Sequence, residues 1–258
     1  MTDQPFANQH VVVTGGGTGI GRATALAFAE GGASSVIVTG RRAGRLAETA
    51  ALHPAVVPVQ ADVSSPEGAD AVAEAVRAHG GVIDVLVHNA GIHRITPVDS
   101  LDPADARDVF EVNVLGMVLL TGRLLPALRS PGGNIVFVTS PAGHNPTPVA
   151  SVYAASKAAV NSFARSWALE LAPKGIRVNA VAPGWVRTEI YEVNSGMSAD
   201  QVDGMFAQVA KGVPLGETGV PEDVTLWITR LADPASHWVT GQIITMDGGA
   251  DLERARQV

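Results

Sequence analysis

The chain has no cysteine, so neither a disulfide framework nor a thiolate metal site is open to it. It has no run of Lys or Arg and carries a net charge of -7, which leaves nucleic-acid binding without electrostatic support. No apolar run approaches the about 18 residues that a membrane span needs. Met1 to His10 is polar, with an Asp but no Lys or Arg, and leads at once into a short strand pattern, not a signal-peptide core. No Ser/Pro-rich linker, charge block or shift in composition divides the chain, and no short-period repeat occurs in it. These absences point to a soluble cytoplasmic protein of one domain, with no nucleic-acid or membrane partner.

What is present suits a globular enzyme: 258 residues, 46% hydrophobic and 17% charged. Short β-branched runs at 10–14, 35–39, 55–59, 83–87, 134–139, 176–181 and 242–246 read as buried strands. Between them lie helical patterns at 19–31, 66–79, 104–129, 152–172 and 221–231, with a weaker one at 42–51. Strands that are apolar nearly throughout and alternate with helices imply a parallel sheet covered on both faces. The fold class is therefore α/β, a doubly wound Rossmann-type sandwich, and its ligands belong beyond the carboxyl ends of the strands.

The first strand runs into Thr14-Gly15-Gly16-Gly17-Thr18-Gly19-Ile20-Gly21 and then an Ala-rich helix. Glycine permits the sharp turn, and a helix opening there adds unpaired N–H groups and the positive end of its dipole, an anion site. A glycine cluster alone equally suits a tight turn without a ligand; its place directly after the first strand favours a nucleotide. Further on, Tyr153 and Lys157 stand four apart at the start of a helical segment, so they share one helix face. Free tyrosine has a pKa of about 10, and a nearby positive charge favours the phenolate. In isolation such a pair usually decorates a helix surface. Here the preceding strand, NIVFVTS, delivers Ser140 to the same edge of the sheet.

Over nearly its whole length the sequence resembles the short-chain dehydrogenase/reductase family. The glycine motif is TGGGTGIG, the Asp-hydrophobic pair after the third strand is Asp62-Val63, and the N-N-A-G motif appears as His88-Asn89-Ala90-Gly91. The helix asparagine matches Asn113, the serine Ser140, and the Y-x-x-x-K motif Tyr153 and Lys157. Pro183-Gly184 follows the sixth strand with Val186 and Thr188 beyond, and Asp247-Gly248-Gly249 closes the last strand. His88 departs from the usual asparagine. The resemblance implies a catalytic tetrad of Asn113, Ser140, Tyr153 and Lys157. Tyr153 exchanges a proton with the substrate oxygen, Ser140 donates a hydrogen bond to it, and Lys157 lowers the tyrosine pKa and holds the nicotinamide ribose. Asn113 anchors a water relay, and no metal is required. The resemblance also implies cofactor contacts from Gly15, Thr18, Gly19, Ile20, Gly21, Asp62, Val63, Asn89, Ala90, Gly91, Pro183, Gly184, Val186 and Thr188.

Cofactor choice depends on charge where the second strand ends. NAD-preferring members place an Asp there; this chain has Gly40-Arg41-Arg42, so NADP(H) is expected over NAD(H), with Arg41 the main phosphate partner and Arg42 a second. Thr18 stands where some NADP-dependent relatives carry a base. The substrate is a small carbonyl compound or alcohol, with 3-oxoacyl groups, small ketones, sugars and steroids all compatible. Arg129 and Lys174 suit an acidic carrier protein or simply complement helix dipoles. A Gly-punctuated segment from Val186 to Leu215 (Gly196, Gly204, Gly212) reads as a substrate lid, with a weak helix at 198–211 and Met197, Met205 and Phe206 as lining. Trp185 is placed to shape the pocket, while His93, Arg94, His144 and Asn145 read as solvated loop side chains. Val114, Leu115, Met117, Val118, Phe163 and Trp167 suggest an apolar interface, hence a homodimer or homotetramer. A catalytically dead cofactor sensor and an NAD-dependent sugar or steroid alcohol dehydrogenase are the alternatives; the complete tetrad favours an active enzyme over the sensor.

Overall fold

β-Branched runs that hold almost no charge can satisfy their backbone only inside a sheet buried on both faces. A computed structural model, which describes residues 4–189, 191 and 197–254, shows seven such strands. They are β1 (His10–Thr14), β2 (Ser35–Gly40), β3 (Val56–Gln60), β4 (Val85–His88), β5 (Asn134–Val138), β6 (Arg177–Pro183) and β7 (Ile243–Met246). All pairs are parallel, in the order β3-β2-β1-β4-β5-β6-β7. The chain reverses its direction of travel across the sheet between β1 and β4, and a ligand crevice opens there beyond the strand ends. Pro58, which cannot donate to a ladder, is tolerated because β3 is an edge strand.

Helices α1 (Gly19–Glu30), α2 (Ala43–Ala50) and α8 (Pro221–Ala232) flank one side. There Phe28 and Ile228 bury completely against Val13, Val87 and Val136. On the other side α3 (Pro66–Ala78), α5 (Gly116–Leu124) and α6 (Ser151–Leu171) bury Val72, Leu120 and Ala164 against Leu86, Ile135 and Phe137. Each fully buried Leu or Phe stabilises by about 1.5–3 kcal/mol, so these two layers hold the strand ends, and hence the site, rigid.

The helix expected over 104–129 is not uniform. It runs as α4 (Pro103–Phe110), a π-helical segment Glu111–Leu115, α5 and a 3-10 turn Leu125–Ala127. Two contacts accompany the wider turn: Asn113 bonds backbone on a neighbouring loop, and Gly116 lies so close to Val63 that a Cβ would sit 3.1 Å from its carbonyl oxygen. The combined stretch Pro103–Ala127 has the length of a membrane span and a mean hydropathy of 1.4 in its most apolar window, beyond what the sequence suggested. Its Met117, Leu120 and Leu124 are nonetheless packed in the sheet core.

That packing narrows the set of side chains left for an interface. Val114 and Met117 are buried in the body, and Phe163 and Trp167 lean on the core, whereas Leu115 remains 57% exposed and Val118 37%. In the segment after β6, α7 (Ala199–Ala210) begins with a capping box between Ser198 and Gln201. Gly204 lies inside this helix and does not interrupt it, and Gly196 lies outside the described residues. A short α9 (Ala250–Arg254) follows β7.

Candidate active site

The glycine turn after β1 is built around backbone contacts that leave no room for side chains. Gly15 and Gly19 adopt left-handed φ of +68° and +52°, and a Cβ on Gly21 would lie 2.2 Å from the Gly15 carbonyl oxygen. Gly15 and Gly16 donate to the Thr39 carbonyl, tying the turn to β2. Thr14 Oγ1 accepts from both Asn89 N and Ala90 N, and Asn89 Nδ2 donates to the Thr14 carbonyl at 2.8 Å. The His88-to-Gly91 loop is thus locked onto the turn. Helix α1 starts at Gly19 with Thr18 as N-cap, has no side-chain cap and carries no acidic residue in its first turn. Its free N–H groups and positive dipole end fit the pyrophosphate of a dinucleotide. Ile20 packs partly into the body and Thr188 lies against Gly19, a Cβ there falling 3.1 Å from the Thr188 Cβ.

The carboxyl end of β2 is open. A Cβ on Gly40 would meet only Leu46 Cδ2, at 3.8 Å. Arg41 and Arg42 flank this space and are exposed, and Arg42 Nη2 reaches the Thr18 hydroxyl at 3.4 Å. Arg42 therefore points back toward the phosphate turn, where the sequence alone ranked it second. Asp62, after β3, is partly desolvated, which would raise its pKa. Hydrogen bonds from Ser64 and the charge of Arg41 outweigh that and hold it below the ordinary carboxylate value. Val63 is a core residue, so its side chain faces the hydrophobic layer, not the crevice. Gly184 at the end of β6 sits so close to Asp247 that a Cβ would come within 2.6 Å of its Cβ. Val186 is buried and bridges to Gly219.

The four catalytic candidates converge at the ends of β4 and β5. Asn113 accepts from Ile92 N at 2.8 Å and donates to the Ile92 carbonyl at 2.9 Å and to Ser156 Oγ at 3.1 Å. Lys157 is buried, donates to the Val138 carbonyl at 3.0 Å, and lies 5.7 Å from the Tyr153 ring centre. Burial lowers it to about 8. A Cβ on Gly91 would sit 3.5 Å from Lys157 Nζ and 3.2 Å from Asn113 Oδ1, so glycine keeps that pocket free for a ligand. Ser140 Oγ accepts from Ala142 N at 3.2 Å and shares a second hydrogen bond with the Tyr153 hydroxyl. Burial pushes the Tyr153 phenol above its ordinary value, and the hydrogen bond with Ser140 offsets this only in part. The lowering of Tyr153 expected from Lys157 is therefore reversed in this state, because the two side chains are desolvated together.

Several neighbours take places at the site that the sequence did not assign to them. His93 lies edge-on to Tyr153, ring centres 4.7 Å apart, and burial lowers its pKa. Tyr191, the second of the chain's two tyrosines, is pushed up to about 12 by burial and by the neighbouring Tyr153 phenol. Ser156 holds Asn113, and Arg22 donates to the Gly17 carbonyl at 2.7 Å to stiffen the turn. The only signal in the sequence was position, after a strand end or inside the glycine motif. Other residues lie elsewhere. His144 and Asn145 bond Asp251, at 2.7 and 2.8 Å, and Arg94 pairs with Asp105. Arg129 is ion-paired with Asp84 at the opposite, amino end of the sheet, away from any carrier-bound substrate. Two open hollows of about 430 and 460 Å³ border β7, and Tyr153 is not in their linings.

The geometry matches known proteins. Residues 15–251 fit the family model described as enoyl-(acyl carrier protein) reductase. An uncharacterized oxidoreductase of Methylorubrum extorquens is 36% identical over 92% of this chain and 96% of its own. A short-chain dehydrogenase/reductase from Caenorhabditis elegans, solved with cofactor, superposes with a TM-score of 0.89 at 35% identity, covering 96% of this chain and 97% of that one. The chain belongs to the short-chain dehydrogenase/reductase family. It is an oxidoreductase acting on CH–OH or carbonyl groups, in a family that uses nicotinamide cofactors. A tetrahydroxynaphthalene reductase of Pestalotiopsis fici is 33% identical over 95% of this chain and 92% of its own.

The departure at His88 has a structural account. The imidazole is buried, bonds Thr121 Oγ1 at 2.8 Å and stacks on Phe137 at 5.1 Å, so it faces the core behind Asn89. Burial lowers its pKa from 6.5 to about 3. A histidine whose folded value lies below its unfolded one binds protons preferentially in the unfolded chain, so stability falls as pH drops below about 6.5 and continues to fall toward 3. From neutrality to pH 5 the loss from this one group is about 2 kcal/mol, or about 4–8 °C in Tm. Thermal unfolding at pH 7 and pH 5 should show a larger drop in the native protein than in His88→Asn. Equal drops would place the acid sensitivity elsewhere.

Proposed function

We propose that this oxidoreductase is an NADPH-dependent reductase that converts a ketone or aldehyde to an alcohol. The observation that carries the reading is the convergence of Asn113, Ser140, Tyr153 and Lys157 beside the uncapped α1 terminus and the glycine-lined pocket at Gly91. When bound, the nicotinamide supplies the hydride. The chain's part is to bind, orient and handle the proton. Gly15 to Gly21 and the α1 terminus hold the pyrophosphate, and Arg41 and Arg42 around the open Gly40 suit the 2′-phosphate. Ser140 donates a hydrogen bond to the reacting oxygen, where negative charge develops. Tyr153, whose burial favours the protonated phenol, delivers a proton to that oxygen in the reductive direction. Lys157, depressed to about 8, lies beside Tyr153 to restore the proton, and Asn113 fixes the loop that carries Gly91 and Ile92. The reductase names of several relatives, including the one from Pestalotiopsis fici, accord with this direction.

A panel of ketones, 3-oxoacyl and enoyl thioesters and sugars, run with NADPH, NADH and the oxidised cofactors, tests the proposal. NADPH-linked ketone turnover is the expected result. Absence of turnover in the presence of cofactor binding would turn the reading toward a sensor. We also propose a homodimer or homotetramer, supported by the exposed Leu115, Val118 and Trp227, with a substrate lid over 186–215. Light scattering at micromolar concentration should give at least twice the 26.6 kDa monomer mass; a monomer alone would remove the assembly.

A further inference from the structure

Aromatic residues make up only 5% of the chain, with 2 Tyr, 4 Trp and 6 Phe, yet both tyrosines, one tryptophan and one phenylalanine gather on the segments around the reacting centre. Trp185 follows directly on Gly184 at the end of β6 and keeps 37% of its surface exposed. Its ring lies 6.4 Å from that of Tyr191, nearly parallel at 28°. Phe206, buried on α7, meets Tyr191 edge-on at 5.0 Å and Trp185 at 6.4 Å, so it braces both from behind. The His93 ring stands edge-on to Tyr153 at 4.7 Å. An indole left this open beside a catalytic centre is costly in water, and its cost is recovered when a flat apolar surface covers it. Arg187, which lies over Phe206, is paired with Asp203 at 2.8 Å, a pairing that does not favour a phosphate-bearing carrier arm.

We infer that the substrate is a planar ketone fused or conjugated to an aromatic ring, laid against Trp185 and Tyr191 with its carbonyl directed to Ser140 and Tyr153. This rests on the carbonyl-reductase reading above and names the substrate class of that site. Aliphatic rings of the same size gain burial alone, while an aryl ring adds about two- to tenfold in affinity for each well-placed aromatic partner.

The test compares kcat/KM for 1-tetralone, cyclohexanone and acetoacetyl-coenzyme A with NADPH, alongside NADPH binding followed by tryptophan fluorescence. The inference expects 1-tetralone to exceed cyclohexanone by at least tenfold and the thioester by more. Trp185→Leu and Tyr191→Leu should each cut the tetralone-to-cyclohexanone ratio about fivefold or more, while Trp185→Phe retains most of it. Phe206→Leu serves as the packing control, since a merely structural cluster would lower Tm without moving the ratio. A ratio near one, a ratio untouched by both leucine variants, or preference for the thioester would overturn the substrate class while the reductase reading stands. NADPH binding with no turnover of any of the three would overturn both.

Discussion

Tyr153→Phe is expected to lower kcat by about 100- to 10,000-fold, the range that a positioned proton donor contributes. The substitution removes one oxygen and keeps the ring, so the edge contact with His93 and the packing on α6 survive. Lys157 holds its place through the Val138 carbonyl and not through the phenol, so NADPH affinity should change little. Stopped-flow measurement of NADPH oxidation, with fluorescence titration for binding, separates the two effects. A variant that keeps more than about a tenth of its activity would show that another group supplies the proton, and the nearby Tyr191 hydroxyl is the one to substitute next.

The double variant Gly40→Asp, Arg41→Ala should shift the ratio of kcat/KM from NADPH toward NADH by about two orders of magnitude or more. Each charge-assisted contact to a phosphate is worth about 1.5–3 kcal/mol, or about ten- to a hundredfold in affinity. The new carboxylate enters space in which a Cβ meets only Leu46 Cδ2, at 3.8 Å, so the change should leave the fold intact. Arg42 already reaches toward Thr18 and retains part of the phosphate affinity, so the single change Arg41→Ala should move the ratio less than the double variant does. A native enzyme that prefers NADH would refute the assignment before any variant is made.

Much of this was legible in the chain itself, and the reasons are local. The glycines of residues 15–21 are required by φ values and close approaches that act within a few residues. Tyr153 and Lys157 share a helix face by their spacing alone. The apolar strands alternating with helices announced a parallel sheet covered on both faces, because strands apolar nearly throughout have no face left for water. Other features depend on residues far apart in sequence. The π turn carries Asn113, which is held by Ile92, 21 residues away, and by Ser156, 43 residues away. Arg129 looked available and is taken by Asp84, 45 residues upstream.

What the sequence alone determined was the fold class, the strand ends and the pairing of Tyr153 with Lys157, since periodicity, glycine conformation and i, i+4 spacing are short-range constraints; the rest of the tetrad was implied only by the resemblance to a family. Only the tertiary structure decided the state of Tyr153, raised where a neighbouring lysine had suggested lowering, because desolvation depends on everything packed around a group and not on its neighbours along the chain. It likewise decided that Trp185, Tyr191 and Phe206 form one aromatic cluster and that His93 meets Tyr153, since those residues come from separate segments of the chain.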